Sequence, residues 1–405
     1  MGARIEMENP ARAVYLDANA TTPLLDDVIN AMFPWFSTRN GNASSGHVRG
    51  REARAAIKIA RGQVAALIGA RPEEIIFTSG GTEADNLAIF GTVVNRGDHV
   101  VTSSIEHHAV LHAMARLESR LGCKVTYLRP SESGVVAPED VLRAVRPKTR
   151  LISIMMANNE TGVVHQVAAI GRIARERGVL FHTDAVQAAG KIPVNVRHIN
   201  CDLLSLSAHK IHGPQGMGAL FVRNELQVEP MLVGGAHEAG FRAGTENVAG
   251  IAGFGKAAEL AAIGFKDGSI KRVGKLRDAL ERSLLREAVE AGINGDGADR
   301  VPNTTNLWFE GGEGGKLLSQ LDRMGLAVSG GSACNAESCE PSHVLLGMGL
   351  SLARASSSIR FSLSKLTAAE DVDFAIWQVS EALDTLRTKS RVLSRRRSAP
   401  VFQNV

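Results

Sequence analysis

The chain of 405 residues is 44% hydrophobic and 22% charged, with a net charge of +4. This is the composition of an ordinary globular protein with room for a large core and two or three domains, and it argues against a disordered chain. No segment approaches the roughly 20 uninterrupted apolar residues of a membrane span, and Met1 to Pro10 holds no apolar stretch suited to a secretory signal. A cytoplasmic location without a membrane partner is therefore expected. Much of the positive excess sits at Lys389, Arg391, Arg395, Arg396 and Arg397. No aromatic residues interleave there, so residues 389–405 read as a basic, flexible tail and no nucleic-acid partner is expected.

From about residue 50, apolar runs bounded by turn signals alternate with stretches of helical spacing. In chain order the pattern predicts a helix over 51–68, a strand over 74–78, a helix over 83–94, a strand over 99–103 and helices over 109–121 and 139–145. A strand over 151–156, a helix over 170–177 and strands over 179–183, 202–207 and 218–222 follow. A long helical stretch runs from Ala249 through Leu285 with a break at Gly264 to Gly268, then strands at 303–309 and near 326–328 and a last helix over 369–386. Such alternation specifies an α/β fold: a large domain with a mostly parallel sheet covered by helices, and a smaller α+β domain beyond a boundary near residue 264.

The chemistry concentrates where strands are predicted to end. The apolar run Leu203-Leu204-Ser205-Leu206-Ser207 stops at Ala208-His209-Lys210 before a glycine-rich turn. Ser205, Ser207 and His209 alternate along that strand and are expected on one side, with Lys210 just past it. In open α/β sheets ligands collect at the carboxyl ends of strands, and a lysine held there can carry a Schiff base. Phe77-Thr78-Ser79-Gly80-Gly81-Thr82-Glu83 reads as a strand, a glycine turn and a helix start, a combination that offers amide and hydroxyl donors to a phosphate. Asp184 closes another strand, where a carboxylate can pair with a protonated pyridine nitrogen and keep the ring an electron sink. Asn158-Asn159-Glu160 and Gln187 supply amides nearby. Together these are the parts of a pyridoxal phosphate site. The plainer reading of each alone is a solvated lysine, a connecting turn or a helix cap.

An ordered set of motifs then narrows the reading. Tyr15-Leu-Asp-Ala-Asn-Ala-Thr-Thr-Pro23, Gly41-Asn-Ala-Ser-Ser-Gly-His47, Glu106-His107, Ala157-Asn-Asn-Glu-Thr-Gly162, His182-Thr-Asp-Ala-Val-Gln187, Ser207-Ala-His-Lys210, Arg242-Ala-Gly-Thr245 and Ser332-Ala-Cys334 recur in the order of one family. Over residues 14 to 386 the chain resembles cysteine desulfurases of the NifS/IscS type, class V aminotransferase-like enzymes of fold type I that use pyridoxal 5'-phosphate.

The resemblance implies that Lys210 holds the cofactor and moves protons, His107 stacks on its ring, Asp184 pairs with the ring nitrogen, and Asn159 and Gln187 serve the ring hydroxyl. Gly81, Thr82, Ser207 and His209 match phosphate contacts, and Thr245 matches one that reaches in from a neighbouring subunit, so a homodimer is implied. Arg360 matches the arginine that clamps the carboxylate of L-cysteine, a task suited to its fork of donors. Even without the resemblance, Arg360 inside an apolar strand-like run stands out, because a buried arginine needs a partner. Cys334, in a loop rich in glycine, serine and alanine, matches the nucleophile that takes the sulfur as a persulfide and hands it to an acceptor such as an iron–sulfur assembly protein. The implied small domain combines residues 13–26 with 264–388, the large domain spans 27–263, and no metal centre is expected.

Four cysteines are present, and no C-x-x-C pair joins them. Cys123 and Cys201 sit beside apolar segments and read as buried, inert thiols. Cys339 departs from the family pattern, which commonly has an apolar residue there. It reads as a bystander, with resolution of a Cys334 persulfide or a disulfide to Cys334 as the alternatives. Ser207-Ala-His-Lys210 also fits the S-x-x-K of serine acyl-enzymes, but the companion S-D-N and K-T-G tripeptides are missing. Gly250-Ile-Ala-Gly-Phe-Gly255-Lys256 starts like a P-loop, yet Ala257 stands at the metal-binding position and no strand precedes it, so close helix packing is the better account.

Overall fold

The computed structural model describes residues 12–288, 290–310, 314–330 and 341–397. The chain enters through β1 (Val14–Tyr15), α1 (Asp26–Phe36) and α2 (Val48–Leu67), then builds β2 (Ile75–Thr78), α3 (Gly81–Phe90), β3 (His99–Ser103), α4 (His108–Leu121) and β4 (Lys124–Leu128). It continues with α5 (Pro138–Ala144), β5 (Thr149–Ser153), α6 (Val167–Arg177), β6 (Leu180–Asp184), α7 (Val196–Ile199), β7 (Leu203–Ser207) and β8 (Gly218–Val222). Strands β2 to β8 form a seven-stranded sheet in the order β2-β8-β7-β6-β5-β3-β4. All neighbours pair in parallel except β8, which is antiparallel to both β7 and β2.

That one reversed strand decides where the site lies. Because β8 runs against both its neighbours, β2 points the same way as β7. Thr78 and Ser207 both pair with Gly218. The glycine turn after β2 therefore arrives at the sheet edge that also receives the carboxyl ends of β5, β6 and β7, the edge at which parallel sheets collect ligands.

α8 (Val248–Gly264) and α9 (Ser269–Glu287) meet at a 73° bend, at the predicted break. Gly255 lies inside α8 and faces Ala60 of α2, where an added Cβ would come within 2.5 Å of the Ala60 backbone. The P-loop-like run is thus a small-residue helix contact. Among the described residues, no single helix is long and apolar enough to cross a membrane.

A second group of elements completes the chain: β9 (Ala291–Ile293), β10 (Thr304–Phe309), α10 (Gly314–Arg323), β11 (Leu326–Ala327), α11 (His343–Gly347), α12 (Leu352–Ser356), β12 (Ser358–Ser362) and α13 (Ala369–Arg397). β12, β10 and β9 make an antiparallel sheet, and β1 pairs in parallel with β11. Val14 and Leu16 are buried in one cluster with residues running from Val273 to Leu383, so the chain's beginning packs with its later part. A separate cluster joins α2, α8 and the main sheet through Val64, Phe254, Phe181 and Leu204.

Two departures from the expected elements have simple causes. β4 is absent from the expected set, because KVTYL is a half-exposed edge strand without a clean two-residue alternation. α13 continues to Arg397, past Leu386 and into the residues read as a basic tail, because the apolar spacing that marks a packed helix stops before the backbone hydrogen bonds do.

Candidate functional site

β7 ends at Ser207, and Ala208–Lys210 forms a 3-10 turn. His209 is thus on the turn, not on the strand as the alternation suggests. The turn nevertheless brings Ser207, His209 and Lys210 to one cavity of about 240 Å³, far more than a water or two would need. Lys210 Nζ donates to the backbone carbonyls of Asn19 and Ala20, each at 2.6 Å. These carbonyls come from the segment just after β1, so the chain's first strand sets the lysine's place.

Asp184 ends β6 and lines the same cavity, 8% exposed. Its Oδ1 accepts from the Val186 amide at 2.8 Å. Burial pushes its carboxyl up to about 6, against the lowering effect of that amide and of the Lys210 charge. A group that cannot keep its own charge without help is primed to take a cationic partner. Below it lies a buried network: His182 sets Nδ1 2.8 Å from Ser153 Oγ and Nε2 2.9 Å from Ser205 Oγ, with Asp85 Oδ1 3.5 Å from Nε2. Burial lowers His182 to about 3, so the ring is neutral, and burial also raises Asp85 well above the ordinary carboxyl range.

His107 caps α4, its Nδ1 accepting the Ala109 amide at 3.1 Å. Burial, then the Lys210 charge, lowers it to about 4. A neutral imidazole that accepts at Nδ1 carries its proton on Nε2. Gly81 and Thr82 open α3 at the cavity, and a helix start with unpaired amides favours an anion. His209 Nδ1 lies 3.1 Å from Thr21 Oγ1, and burial lowers this ring to about 4 as well.

Arg360 reaches the cavity from β12 and is 1% exposed. The partner that the sequence demands is the half-buried Asp17, 2.6 Å from Nη2, while Nη1 donates to the Asn159 carbonyl at 3.0 Å. Among the described residues, Arg360 Nε has no hydrogen-bond partner, and neither has Asn159 Oδ1. Gln187 also lines the cavity and donates through Nε2 to the Asn19 carbonyl at 3.0 Å.

Of the expected residues, Gly81, Thr82, His107, Asn159, Asp184, Gln187, Ser207, His209, Lys210 and Arg360 meet at this cavity. Thr245 does not. It lines a separate cavity with Thr78, Glu238 and Arg242, and Arg242 in turn pairs with Glu83 in the first turn of α3, 2.9 Å away. Cys334 and Cys339 lie outside the described residues. Cys123 and Cys201 are buried free thiols with raised pKa, chiefly from burial, which suits inert groups.

Sequence reasoning assigns no role to Asp17, Asn19 or Asp85. The first two lie in the Tyr15–Pro23 motif but have no local pattern that names their partners, which are some 140 to 343 residues away. Asp85 carries a usable signal: it is the acidic residue on the buried face of α3, beside Ala84, Leu87 and Ala88.

The donor set fits pyridoxal phosphate. An amine, a buried carboxyl that favours a cationic partner, a neutral ring, a helix start open to an anion and an orphaned amide oxygen all face one space.

The comparisons with known proteins agree. Residues 14–374 match the class-V aminotransferase family. The cysteine desulfurase IscS of Dictyoglomus turgidum is 46% identical over 382 residues, covering 94% of this chain and 96% of the relative. Among solved structures, a NifS-like protein aligns with a TM-score of 0.85 at 36% identity over 92% of this chain and 100% of its own. SspA in complex with cysteine aligns at 0.78 with 37% identity over 88% and 100%. The chain belongs to the class-V aminotransferase family and, within it, to the cysteine desulfurases, enzymes that work with pyridoxal 5'-phosphate.

Proposed function

We propose that this cysteine desulfurase releases L-alanine from L-cysteine at the cavity around Lys210 and stores the sulfur as a persulfide on Cys334. The observation that carries the residue assignment is the meeting of Lys210, Asp184 and Arg360 at one cavity. An amine, a ring-nitrogen partner and a carboxylate receptor are the groups that processing an amino acid on a pyridine ring requires.

Lys210 would hold the cofactor, with Asp184 as the partner of its ring nitrogen, His107 against its ring, and Asn159 and Gln187 for its hydroxyl. The start of α3 at Gly81 and Thr82, with Ser207 and His209, takes the phosphate, and Thr245 completes that site from the other subunit of a homodimer. When bound, the cofactor supplies an electron sink for the charge left at the substrate's α-carbon. Arg360 receives the substrate carboxylate. Its five N–H donors include two spent on Asp17 and Asn159, so further donors remain for a ligand. The Lys210 amine takes the substrate's α-proton and returns it. Cys334 attacks the substrate sulfur as a thiolate. The carbon–sulfur bond breaks as the new sulfur–sulfur bond forms, and the carbon takes a proton to become the methyl group of alanine. No outside oxidant is required, because cysteine and one thiol give alanine and one persulfide.

The sulfur then passes to an acceptor such as an iron–sulfur assembly protein, in the cytoplasm. Residues 27–263 form the cofactor-binding domain, while 13–26 with 264–388 form the small domain, which brings Arg360 to the substrate. The packing of Val14 and Leu16 with residues 273–383 supports that division.

The test is Lys210→Ala. Yellow absorbance of the bound cofactor and sulfide release from cysteine disappear together in the purified variant. A variant that still releases sulfide at the normal rate refutes the assignment.

A further inference from the structure

Lys191 is an enclosed lysine that the proposed reaction does not use. It is 8% exposed, and both partners of its Nζ are neutral: Asn19 Oδ1 at 2.9 Å and Gln187 Oε1 at 2.5 Å. Burying an amine beside a second lysine is unfavourable, and burial, then the Lys210 and Arg360 charges, lowers its pKa well below the ordinary value. Such a group persists where it fixes something the site needs.

Charged or neutral, Lys191 has hydrogens to give, and as an ammonium it only donates. The side-chain amide of Gln187 has one accepting and one donating end. With Oε1 turned to Lys191, Nε2 is turned the other way, 3.0 Å from the Asn19 carbonyl, and Gln187 itself lines the cavity. Reversing the amide would set two donors against each other and leave Oε1 without its partner, at a cost of roughly 1–3 kcal/mol. Lys191 also holds Asn19 by its side-chain oxygen, shared with Asn303 Nδ2 at 3.1 Å, while the Asn19 backbone carbonyl receives Lys210 Nζ. One buried amine thus braces both the amide and the turn after β1 against which the cofactor lysine rests.

We propose that Lys191 is a positioning residue that locks Gln187 as a hydrogen-bond donor toward the cofactor's ring oxygen and holds the Asn19 carbonyl in place for Lys210. This rests on the reading of Gln187 as a cofactor contact. The sequence run Ala188-Ala-Gly-Lys191 gives no hint of it, because the lysine follows a strand end only at a distance and resembles a solvated turn residue.

The test is a double-substitution cycle on the whole protein, read by the affinity of the cofactor-free form for pyridoxal phosphate and by the absorption maximum of the loaded form. Lys191→Met weakens cofactor binding by about tenfold and moves the absorption maximum. Lys191→Gln, which keeps an N–H donor, recovers part of both and serves where the methionine variant folds poorly. In a Gln187→Leu background, Lys191→Met adds about threefold or less, because the amide it positions is gone. A full independent effect in that background, or an unchanged affinity and spectrum for both Lys191 variants, overturns the proposal. If Gln187→Leu alone changes neither readout, the reading of Gln187 is wrong and the inference falls with it, while a silent Lys191 beside a sensitive Gln187 removes the inference alone.

Discussion

Arg360 and Asp17 are 343 residues apart and join at 2.6 Å, Nη2 to Oδ1, with Asp17 Oδ2 accepting a further bond from Ser329 Oγ at 2.8 Å. The pair ties the segment after β1 to β12 and to Ser329, which also forms a bridge with Arg360. A guanidinium anchored by an acid on one nitrogen keeps a fixed direction while donors remain for a carboxylate.

Arg360→Ala is accordingly expected to weaken cysteine binding and leave the resting cofactor absorbance alone. Losing one partner of a buried charged contact costs on the order of 2–5 kcal/mol, so half-saturation of the cysteine-induced spectral change moves up by roughly 30-fold or more. An unchanged half-saturation would make Arg360 a structural residue that only closes the ion pair with Asp17.

Asp184 gives a prediction in pH. Its carboxyl is pushed from 3.8 to about 6 in the folded chain, chiefly by burial. As pH rises between those values, the unfolded chain gives up its proton while the folded one keeps it. The cofactor-free protein therefore loses stability across that window, by up to about 3 kcal/mol. Asp184→Asn removes the titrating group but keeps an oxygen for the Val186 amide, so the thermal midpoint of its cofactor-free form changes less with pH over the same range. Equal slopes for the two proteins would show that Asp184 is not the group that titrates. With cofactor present, the same substitution lowers turnover by roughly two orders of magnitude or more, because a neutral amide cannot hold the ring nitrogen protonated.

How much of the fold and site is legible in the residues depends on distance along the chain. Strand ends announce themselves locally: Leu203 to Ser207 is apolar until its polar exit, and β6 stops at Asp184. Both positions are visible for that reason, and the long α8–α9 stretch shows its break because two glycines bound it. Pairing between distant segments is not legible. Asn19 touches Asn159, Lys191, Lys210 and Thr304, and no local spacing encodes four such partners. His209 is misplaced on the strand by the sequence pattern because a two-residue alternation does not register where hydrogen bonding to β8 stops, which is at Ser207 opposite Gly218. The buried carboxyl Glu106, raised to about 8 by burial, reads as an ordinary polar residue until the fold encloses it.

Gly218 tests the proposed phosphate turn through backbone contact alone. It pairs with Thr78 and Ser207, and a Cβ there would lie 2.4 Å from the Gly80 carbonyl carbon and 2.6 Å from its Cα. Neither neighbour is a flexible side chain, so Gly218→Ala must displace the turn that opens α3. The overpacking costs about 1–3 kcal/mol, seen as a lower thermal midpoint, and cofactor affinity falls with it. A stable variant of unchanged affinity would show that the turn's position does not govern phosphate binding.

Cys334 and Cys339 separate the first turnover from the later fate of the sulfur. Cys334→Ser removes the proposed sulfur acceptor but keeps every group that receives cysteine at the cavity, so cysteine still perturbs the cofactor spectrum while alanine and persulfide fail to form. Cys339→Ser leaves first-turnover alanine intact, because its thiol is five residues beyond the matched motif Ser332-Ala-Cys334. A resolving role for Cys339 would show only afterwards, as a longer-lived persulfide or the loss of a Cys334–Cys339 disulfide by mass spectrometry. A thiolate has to be reachable to attack sulfur, and burial has raised the pKa of Cys123 and Cys201, so neither substitutes for it. If Cys339→Ser were the dead variant and Cys334→Ser the active one, the nucleophile would have to be moved to Cys339. If both stayed active, a route that frees sulfur from cysteine without either thiol would be required.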